Sequence, residues 1–452
     1  MVTRQHVPNR TPGIRLGLTL LFAFVGGAGV GNLYWAQPLL GDIAAELGVV
    51  PGTAGLLVTL TQIGYALGVF FVVPLGDTVN RKRLIPAIMA GCSISLAGCV
   101  LAPNFALLLS TLALVGFTNV AGQMLLPLAG DLATDEQRGR VLGTVASGLL
   151  TGILLSRTLS GLVGDAFGWR MIYALASGTI LVLAVIMWRA IPVLTPRKRI
   201  AYGRLLASVV QVALRHRQGK IIPLFGASLM CVFTAFWTGL TLLLAAPPFS
   251  LPASHIGLVS LLGVLGVIGA QYTGKVHDRG WAVPAIGIGL VITLAAIAVA
   301  GFGSSSIVAV FIAVSMLSVG AQSVLVLLQT MMVSINPAAR SRLNTAHIVS
   351  NFIGGAIGST LAATLWHIGQ WPAIMICSAV VLVFALMLWF FQRNRALAAK
   401  GSPSPTRPAA AASSQQTRRE TTPAVGVSGC RLGVRDLSGR GPMNTGSHES
   451  SA

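Results

Sequence analysis

Apolar segments of about 20 residues follow one another along most of this chain, separated by short polar loops. A segment of that length spans a bilayer as a helix, because lipid offers no partners for backbone N–H and C=O groups. The sequence therefore predicts an all-α membrane protein with twelve transmembrane helices. The predicted spans are 16–40, 54–75, 84–102, 106–130, 141–163, 171–191, 221–247, 256–276, 282–301, 305–332, 343–367 and 372–392.

The second half of the chain repeats the first at an offset of about 202 residues, as Trp35 and Trp237 illustrate. Further pairs at this offset are Gly55 with Gly257, Arg138 with Arg340, Arg140 with Arg342, and Trp169 with Trp371. In many solute carriers, duplicated helix bundles face each other around a central site. The repeat therefore predicts two pseudo-symmetric six-helix bundles and favours a transporter.

Loop charges distinguish the two sides of the membrane. One side holds most Lys and Arg residues, including the cluster from Arg189 to Lys220, whereas the other holds only Arg170. By the positive-inside rule the basic side is cytoplasmic, and both termini are predicted there. The predicted organisation is a cytoplasmic N-terminal segment (1–15), a six-helix bundle (16–191), a basic cytoplasmic linker (192–220), a second six-helix bundle (221–392) and a disordered basic cytoplasmic tail (393–452). Residues 202–215 of the linker have the pattern of an amphipathic helix on the inner leaflet, with a solvated basic linker as the alternative.

Composition supports the membrane assignment, since 54% of the residues are apolar and only 9% are charged. The net charge of +20 is spread over loops and the tail, so we expect no nucleic-acid partner. The five cysteines are isolated, and we expect neither a disulfide framework nor a metal site. The predicted partners of this protein, which we expect to be a monomer, are a small-molecule substrate and the lipid bilayer.

The loop between the second and third predicted helices resembles the signature loop of the major facilitator superfamily. It reads Leu75-Gly76-Asp77-Thr78-Val79-Asn80-Arg81-Lys82-Arg83, and a weaker copy between the eighth and ninth helices reads Gly274-Lys275-Val276-His277-Asp278-Arg279-Gly280. Val73 and Asn80 depart from the family pattern, which commonly has glycine there. Within the superfamily the chain looks most similar to bacterial drug:proton antiporters, although its fourth helix lacks the arginine usual in that branch.

The resemblance implies a secondary transporter of the inner membrane that is not an enzyme, needs no cofactor and uses the proton gradient. It implies export of a drug or metabolite by rocking of the two halves. Uptake of a small organic acid or sugar is one alternative. A non-transporting membrane sensor is an alternative of another class.

Both signature loops carry a carboxylate that we expect to latch the cytoplasmic gate. The N-terminus of a helix favours negative charge by about 0.3 to 1 kcal/mol, because its N–H groups lack helical partners. We expect Asp77 to meet helix eleven near Leu343, and Asp278 to meet helix five near Val141. The predicted gating residues are Asp77, Arg81, Lys82, Asp278 and Arg279. A loop that only sets topology is the alternative.

Small residues recur at every fourth position in two helices related by the repeat. The stripes are Gly148, Gly152 and Ser156 in helix five, and Ser350, Gly354 and Gly358 in helix eleven. Small residues let helices approach closely. We expect these stripes to join helix five to helix eight, and helix eleven to helix two, across the interface between the halves. Burial of the stripes within each half is the alternative.

Arg157 is the only charged residue well inside a predicted span. An intramembrane arginine costs at least about 2.5 to 3.5 kcal/mol, so it is normally paired or faces water. The nearest carboxylates by depth are Asp42, Glu46 and Asp165. We expect Arg157 to bind substrate, either an anion or a neutral molecule rich in acceptors. Snorkelling to the outer interface is the alternative.

The family resemblance implies that helices one, four, seven and ten line the cavity. The predicted substrate-binding residues are Arg157, Asn32, Tyr34, Gln37, Asn119, Gln123, Trp237, Thr238 and Gln322, with Thr241 and Gln329 on the same helices. Amides, hydroxyls and aromatic rings suit a small polar or amphipathic ligand, although each polar group could instead bond another helix. The candidates for proton coupling are Asp42, Glu46 and His347, and a neutral structural role is the alternative for His347.

Overall fold

The computed structural model describes residues 13–192, 201–336 and 339–394. The predicted tail lies outside these residues apart from its first two positions, and so do the side chains of Lys275 and Asp278. The helices are α1 (Leu16–Gly31), α2 (Leu40–Glu46), α3 (Pro51–Phe71), α4 (Arg81–Val100), α5 (Phe105–Thr118), α6 (Ala121–Leu132), α7 (Asp135–Phe167), α8 (Trp169–Ala190), α9 (Tyr202–Arg215), α10 (Arg217–Ala245), α11 (Ala253–Val259), α12 (Val264–Asp278), α13 (Ala282–Phe302), α14 (Ile307–Ser334) and α15 (Arg340–Gln392). Short 3₁₀ helices cover Gln37–Leu39, Val73–Asp77 and Ser260–Gly263.

Ten helical stretches in the described ranges are long and apolar enough to cross a membrane. One of them is α15, whose 53 residues are interrupted where Gly369 and Gln370 leave helical geometry. The apolar helix α1, with 16 residues, is not among the ten. Counting α15 as two helices and adding α1 makes the architecture consistent with the twelve predicted spans.

The predicted first helix, 16–40, is wrong beyond Gly31. Residues 32–34 continue as tight turns, in which the Asn32 N–H donates to the Gly29 carbonyl at 3.0 Å. Trp35 Nε1 donates to Asn32 Oδ1 at 2.8 Å, and Ser160 Oγ of α7 donates to the Trp35 carbonyl at 2.6 Å. These side-chain bonds replace helical backbone bonds and hold the turn against α7.

Buried apolar side chains form two clusters. The first is drawn from residues 14–191 together with Ala253 and Ile348. The second is drawn from residues 213–385. Each repeated half therefore has its own apolar core.

The small-residue stripes pack the inside of each half, so their predicted place between the halves is wrong. A Cβ atom on Gly152 would fall against the Gly27 backbone of α1, and one on Gly354 against the Ala227 backbone of α10. Such close backbone packing leaves no room for a side chain. The two contacts occupy equivalent positions in the repeat, which is therefore preserved in three dimensions.

The predicted helix pairs across the interface are nevertheless confirmed. Helix five, α7, packs on α11 at the start of helix eight, and helix eleven, the first part of α15, packs on helix two, α3. Thr158 Oγ1 donates to the Gly257 carbonyl at 3.1 Å. In the equivalent contact, Ser359 Oγ donates to the Gly55 carbonyl at 2.8 Å. Hydroxyl-to-carbonyl hydrogen bonds thus join these helix pairs across the interface, a role that was predicted for the small-residue stripes.

The contact of α7 with the second half lies at one end of the bundle. We call the end with the Asp77–Arg81 loop the basic end, and the opposite end, with Glu46 and Arg170, the distal end. Between residues 135 and 155, α7 buries only Val141 and Val145, whereas it buries most positions from Ser156 to Gly164. Gly161 lies against the Ala253 and Gly257 backbone. On the α7–α11 side, the interface is therefore closed at the distal end and sparse toward the basic end.

Candidate functional site

Arg157 lies where the two halves meet, with only 4% of its surface exposed. Its Nε donates to Gln37 Oε1 at 2.6 Å. The guanidinium carbon lies 4.6 Å from the ring centroid of Tyr34 and 4.5 Å from that of Trp237. We call these four residues the Arg157 clamp. The side chain is enclosed by protein, so the snorkelling alternative is wrong.

Three separate elements position the clamp. After Gly31 the α-helix gives way to turns and a 3₁₀ helix, and from this stretch Tyr34 and Gln37 contact Arg157 of α7. Trp237 comes from α10 in the second half, where its ring packs against Phe233 and Phe236 at centroid distances of 6.2 and 6.4 Å. The clamp therefore joins both halves through one cation.

Aromatic contacts stabilise the buried charge but leave polar atoms without partners. Each cation–π contact contributes about 0.5 to 2 kcal/mol, comparable in sum with the cost of burying an arginine in a membrane. Within the described structure, Arg157 Nη2, Trp237 Nε1 and Thr238 Oγ1 have no hydrogen-bond partner. A buried donor without a partner costs about 1 to 3 kcal/mol. The clamp is thus stable as a cation but incomplete in hydrogen bonds.

Glu46 and Asp165, which the sequence places near Arg157 in membrane depth, contact other residues. Glu46 pairs with Arg170 and accepts a 2.6 Å hydrogen bond from Trp169 Nε1. Asp165 accepts a hydrogen bond from Ser254 at the start of α11. In the described ranges, no ion pair involves Arg157. The guanidinium therefore keeps its positive charge without a protein counter-ion.

Asp42 and Asp165 form an acidic site at the distal end. Partial burial and the negative charge of Asp165 raise the pKa of the Asp42 carboxyl above its usual value. Asp42 lies on α2, outside the membrane-spanning helices. Because Asp165 also bonds Ser254 of the second half, this pair lies at the closed end of the interface.

Asn32 and Asn119 are bonded to each other within the first half. Asn32 Nδ2 donates to Asn119 Oδ1 at 3.3 Å, and Asn119 Nδ2 donates to the Gly29 carbonyl at 2.6 Å. With Trp35 they complete a buried network between α1 and the junction of α5 and α6. Their polar groups stabilise helix packing in this conformation. This agrees with the alternative that such polar groups bond another helix instead of a ligand.

The other predicted cavity residues occupy varied surroundings. Gln123 Nε2 donates to the Tyr65 hydroxyl at 2.9 Å, and Gln329 Nε2 donates to Asn344 Oδ1 at 3.0 Å. Thr241 Oγ1 donates to the Trp237 carbonyl at 3.2 Å, whereas Gln322 is half-buried on α14. Of the predicted set, only Tyr34, Gln37 and Trp237 contact Arg157.

Sequence reasoning missed Gln62, a buried amide on α3. Its Nε2 lies 3.4 Å from Thr234 Oγ1 of the second half, and its Oε1 has no partner among the described residues. Nearby, the Tyr65 and Phe352 rings pack across the interface with centroids 4.3 Å apart. A single glutamine within an apolar span is a polar residue inside the membrane, and this feature could have identified Gln62.

His347 lies on α15 with 1% of its surface exposed. Its Nε2 is 3.2 Å from Asn351 Nδ2, and both residues pack against Gly226 of α10. His347 Nδ1 and Asn351 Oδ1 have no hydrogen-bond partners in the part of the chain that the structure describes. The pair is therefore a second buried polar site, separate from the Arg157 clamp.

The signature loop is organised around Arg81. Its Nη2 lies 3.0 Å from Asp77 Oδ1, its Nη1 lies 3.0 Å from Asp131 Oδ2, and its Nε donates to the Gly76 carbonyl at 2.8 Å. Asn80 caps α4 by accepting the Lys82 N–H at 2.9 Å, which gives this asparagine a local structural role. Arg279 is exposed after α12. In this conformation Asp77 thus pairs within its own half, and its contact with helix eleven stays a prediction.

An apolar groove of about 400 Å³ runs between α3 and α15. Ile63, Leu67, Ile353 and Ile357 line it, and each is partly exposed on the surface of the bundle. Thr59 and Thr360 are its polar residues. The residues of the Arg157 clamp do not line this groove, so it is separate from the charged site.

Two repeated helical halves that meet around a buried polar site define a membrane solute transporter. The model of the Major Facilitator Superfamily matches residues 18–340. The Escherichia coli O157:H7 protein named "Uncharacterized transporter YgaY" is 35% identical over 381 residues, which cover 84% of this chain and 97% of that protein. The chain belongs to the Major Facilitator Superfamily, whose members are transporters and not enzymes.

More distant matches agree with this family. A Helicobacter pylori protein named "Probable sugar efflux transporter" is 24% identical over 288 residues, covering 62% of this chain and 69% of that protein. The crystal structure of a bacterial homolog to the human lysosomal transporter Spinster, described as inward-facing and occupied, matches with a TM-score of 0.70. That match has 16% sequence identity and covers 86% of this chain and 98% of that chain, which supports the fold.

Proposed function

We propose that this transporter exports a small molecule by proton-coupled alternating access, with the Arg157 clamp as its central site. The observation that carries the proposal is a buried cation held by both halves, Tyr34 and Gln37 from one and Trp237 from the other. Rocking of the halves would separate Trp237 from Arg157. This movement would open the site to the other side of the membrane.

The proposed orientation puts the basic end in the cytoplasm, following the positive-inside rule. In that orientation, the closure of the α7–α11 contact at the distal end supports an inward-facing conformation. The Spinster homolog of the same fold was solved in an inward-facing conformation. In the outward-facing conformation, we propose that Asp77 leaves Arg81 and latches the basic end against the start of α15. Lys82, Asp278 and Arg279 belong to the same proposed gate.

Export is the proposed direction, supported by the Helicobacter pylori relative named for sugar efflux. The proposed proton carrier is His347, since it is buried and its Nδ1 lacks a partner among the described residues. Asp42 and Glu46 at the distal end remain alternative carriers. Uptake of a small organic acid or sugar would use the same clamp in the opposite direction.

The test is solute-driven proton movement in proteoliposomes with an internal pH dye. The solutes are sugars, sugar acids and amphipathic antimicrobials, and the variants are His347→Gln and Arg157→Gln. Arg189→Gln is the matched control, because Arg189 is an exposed cation at the end of α8. We expect the wild type and the control to move protons with a solute, and both site variants to lose the signal.

Transport that is unaffected by an imposed pH gradient would refute the proton coupling. Transport that requires the gradient but survives His347→Gln would exclude His347 as the carrier and favour Asp42 or Glu46. Accumulation of the solute on the cytoplasmic side, rather than its depletion there, would reverse the proposed direction.

A further inference from the structure

We propose that the Arg157 clamp receives an organic carboxylate, whose oxygens accept hydrogen bonds from Arg157 Nη2 and Trp237 Nε1. This inference rests on the proposed transport function and names the class of its solute. The two donors belong to different halves of the protein, so a bound carboxylate would bridge them.

The unsatisfied groups at the Arg157 clamp include two donors, which call for an acceptor. Arg157 Nη2 and Trp237 Nε1 are both N–H donors without partners within the described ranges. The nearby acceptor Gln37 Oε1 is already used by Arg157 Nε. The Tyr34 and Trp237 rings both lie against the guanidinium plane, so they leave its N–H edge as the part that can meet a ligand oxygen. The planar edge of an arginine matches the geometry of a carboxylate.

The positive charge of Arg157 also favours an anionic ligand. The ion pairs of the described structure join Arg81 to Asp77 and Asp131, and Arg170 to Glu46, which leaves Arg157 uncompensated. A neutral ligand could accept a hydrogen bond but would leave a buried positive charge. An anion would accept the bond and neutralise the charge as well.

The residues at the equivalent positions of the repeat differ from Arg157 and Trp237 in their hydrogen bonding. Trp35, the counterpart of Trp237, donates its Nε1 hydrogen to Asn32 at 2.8 Å. Ser359, the counterpart of Arg157, donates to the Gly55 carbonyl at 2.8 Å. The polar groups at both equivalent positions are satisfied within the protein, whereas Arg157 and Trp237 each retain an unpaired donor. The asymmetry marks this one copy of the repeat as the site for a ligand.

The experiment measures binding by thermal stabilisation of the purified full-length protein in lipid nanodiscs. The probes are two matched pairs, benzoate with benzamide and gluconate with gluconamide. Each pair keeps the body of the molecule and changes its charge. The expected result is stabilisation of the wild type by at least one carboxylate. The dissociation constant of its neutral partner should be about 10-fold higher or more.

Three variants separate the parts of the clamp. Arg157→Gln removes the charge, and we expect carboxylate affinity to fall about 10- to 100-fold. Trp237→Phe keeps the ring over the guanidinium and removes only the N–H donor, with an expected loss of about 10-fold. Arg157→Lys keeps the charge without the planar edge and is expected to bind more weakly than the wild type but more tightly than Arg157→Gln. Arg189→Gln should retain the wild-type affinity.

Trp237→Phe keeps the proposal testable where Arg157→Gln fails to fold. The proposal is overturned if neither carboxylate stabilises the wild type more than its neutral partner does. It is equally overturned if Arg157→Gln and Trp237→Phe both fold and keep the wild-type carboxylate affinity. Carboxylate-selective binding without solute-driven proton movement would refute the proposed transport mechanism and leave this inference standing. Proton-coupled movement of glucose alone, with no carboxylate binding, would do the reverse.

Discussion

The role of Arg157 depends on the residues that surround it. The chain presents a single arginine within an apolar helix, and the fold encloses it between Tyr34 and Trp237. Its predicted partners by depth, Asp42, Glu46 and Asp165, are engaged elsewhere or lie at the distal end. Among the residues that the structure describes, this cation at the interface thus has no anionic partner.

The Asn32–Asn119 pair is predicted to act on stability rather than on ligand affinity. Replacing Asn119 by Ala removes its bond to the Gly29 carbonyl and leaves Asn32 Nδ2 with one partner fewer. We expect the variant to lose about 1 kcal/mol of stability, which a thermal melt in detergent would record as a lower Tm. Carboxylate affinity should not change. Weakened binding in a protein of unchanged stability would instead assign Asn119 to the ligand site.

Asp42 is predicted to make stability depend on pH. Its raised folded-state pKa means that the ionised carboxyl destabilises the folded protein, and this cost disappears as the pH falls through that pKa. We expect Asp42→Asn to raise the Tm under alkaline conditions and to have little effect under acidic conditions, where Asp42 of the wild type is already neutral. Melting curves across this pH range measure the difference.

Asp165 supplies the control for that prediction, because its negative charge is one cause of the raised pKa. In an Asp165→Asn background, Asp42→Asn should stabilise less than it does in the wild type. An equal gain in both backgrounds would mean that the two carboxylates do not interact.

Among the helices, the glycine stripes allow a sharp comparison within α7. Gly152 lies against the Gly27 backbone, whereas a Cβ atom on Gly143 would meet nothing within 4 Å. We expect Gly152→Ala to destabilise the protein by about 1 to 3 kcal/mol through overpacking. Gly143→Ala should stabilise it by up to about 1 kcal/mol, because alanine favours a helix more than glycine does. Chemical or thermal unfolding in detergent distinguishes them, and equal effects would contradict the packing of α7 on α1.

The linker helix α9 confirms the helix predicted at 202–215. Its buried residues Leu205, Val209 and Ala213 lie on one face, and the Tyr202 hydroxyl donates to the Phe71 carbonyl at 2.5 Å. Tyr202 thereby satisfies a carbonyl at the end of α3. The apolar face therefore packs on protein, while Val210 and Leu214 remain partly exposed. Val210 and Leu214, with the exposed Arg204 and Arg215, are available for the predicted contact with the inner leaflet.

For the whole molecule, alternating access predicts that locking the interface stops transport. The Thr59 and Thr360 hydroxyl oxygens, which belong to different halves, lie 3.2 Å apart. In a background without the native cysteines, we expect Thr59→Cys/Thr360→Cys to form a disulfide under oxidation and to lose transport, with recovery after reduction. Proteoliposome flux before and after reduction is the measurement.

The single cysteine variants are the controls and should be insensitive to oxidation. Full transport by a completely cross-linked protein would contradict the idea that these helices separate. Failure to cross-link would mean that the two positions do not approach each other as they do in this conformation.

The order of the amino acids was enough to determine the class of the protein and its duplication. Spans of apolar residues must become helices in lipid, and paired residues such as Trp35 and Trp237 record the repeat without any knowledge of packing. Helix ends were less predictable: the break of α1 depends on Ser160, which is remote in sequence and bonds the Trp35 carbonyl.

The site required the tertiary structure, because its chemistry lies in distances between remote segments. Sequence alone identified Arg157, Tyr34, Gln37 and Trp237 as candidates, together with residues such as Asn32 and Asn119 that bond each other. Hydropathy and repeat patterns cannot distinguish a satisfied polar group from an unsatisfied one. That distinction depends on which helices pack together, and it left Arg157 Nη2 and Trp237 Nε1 as buried donors where the halves meet.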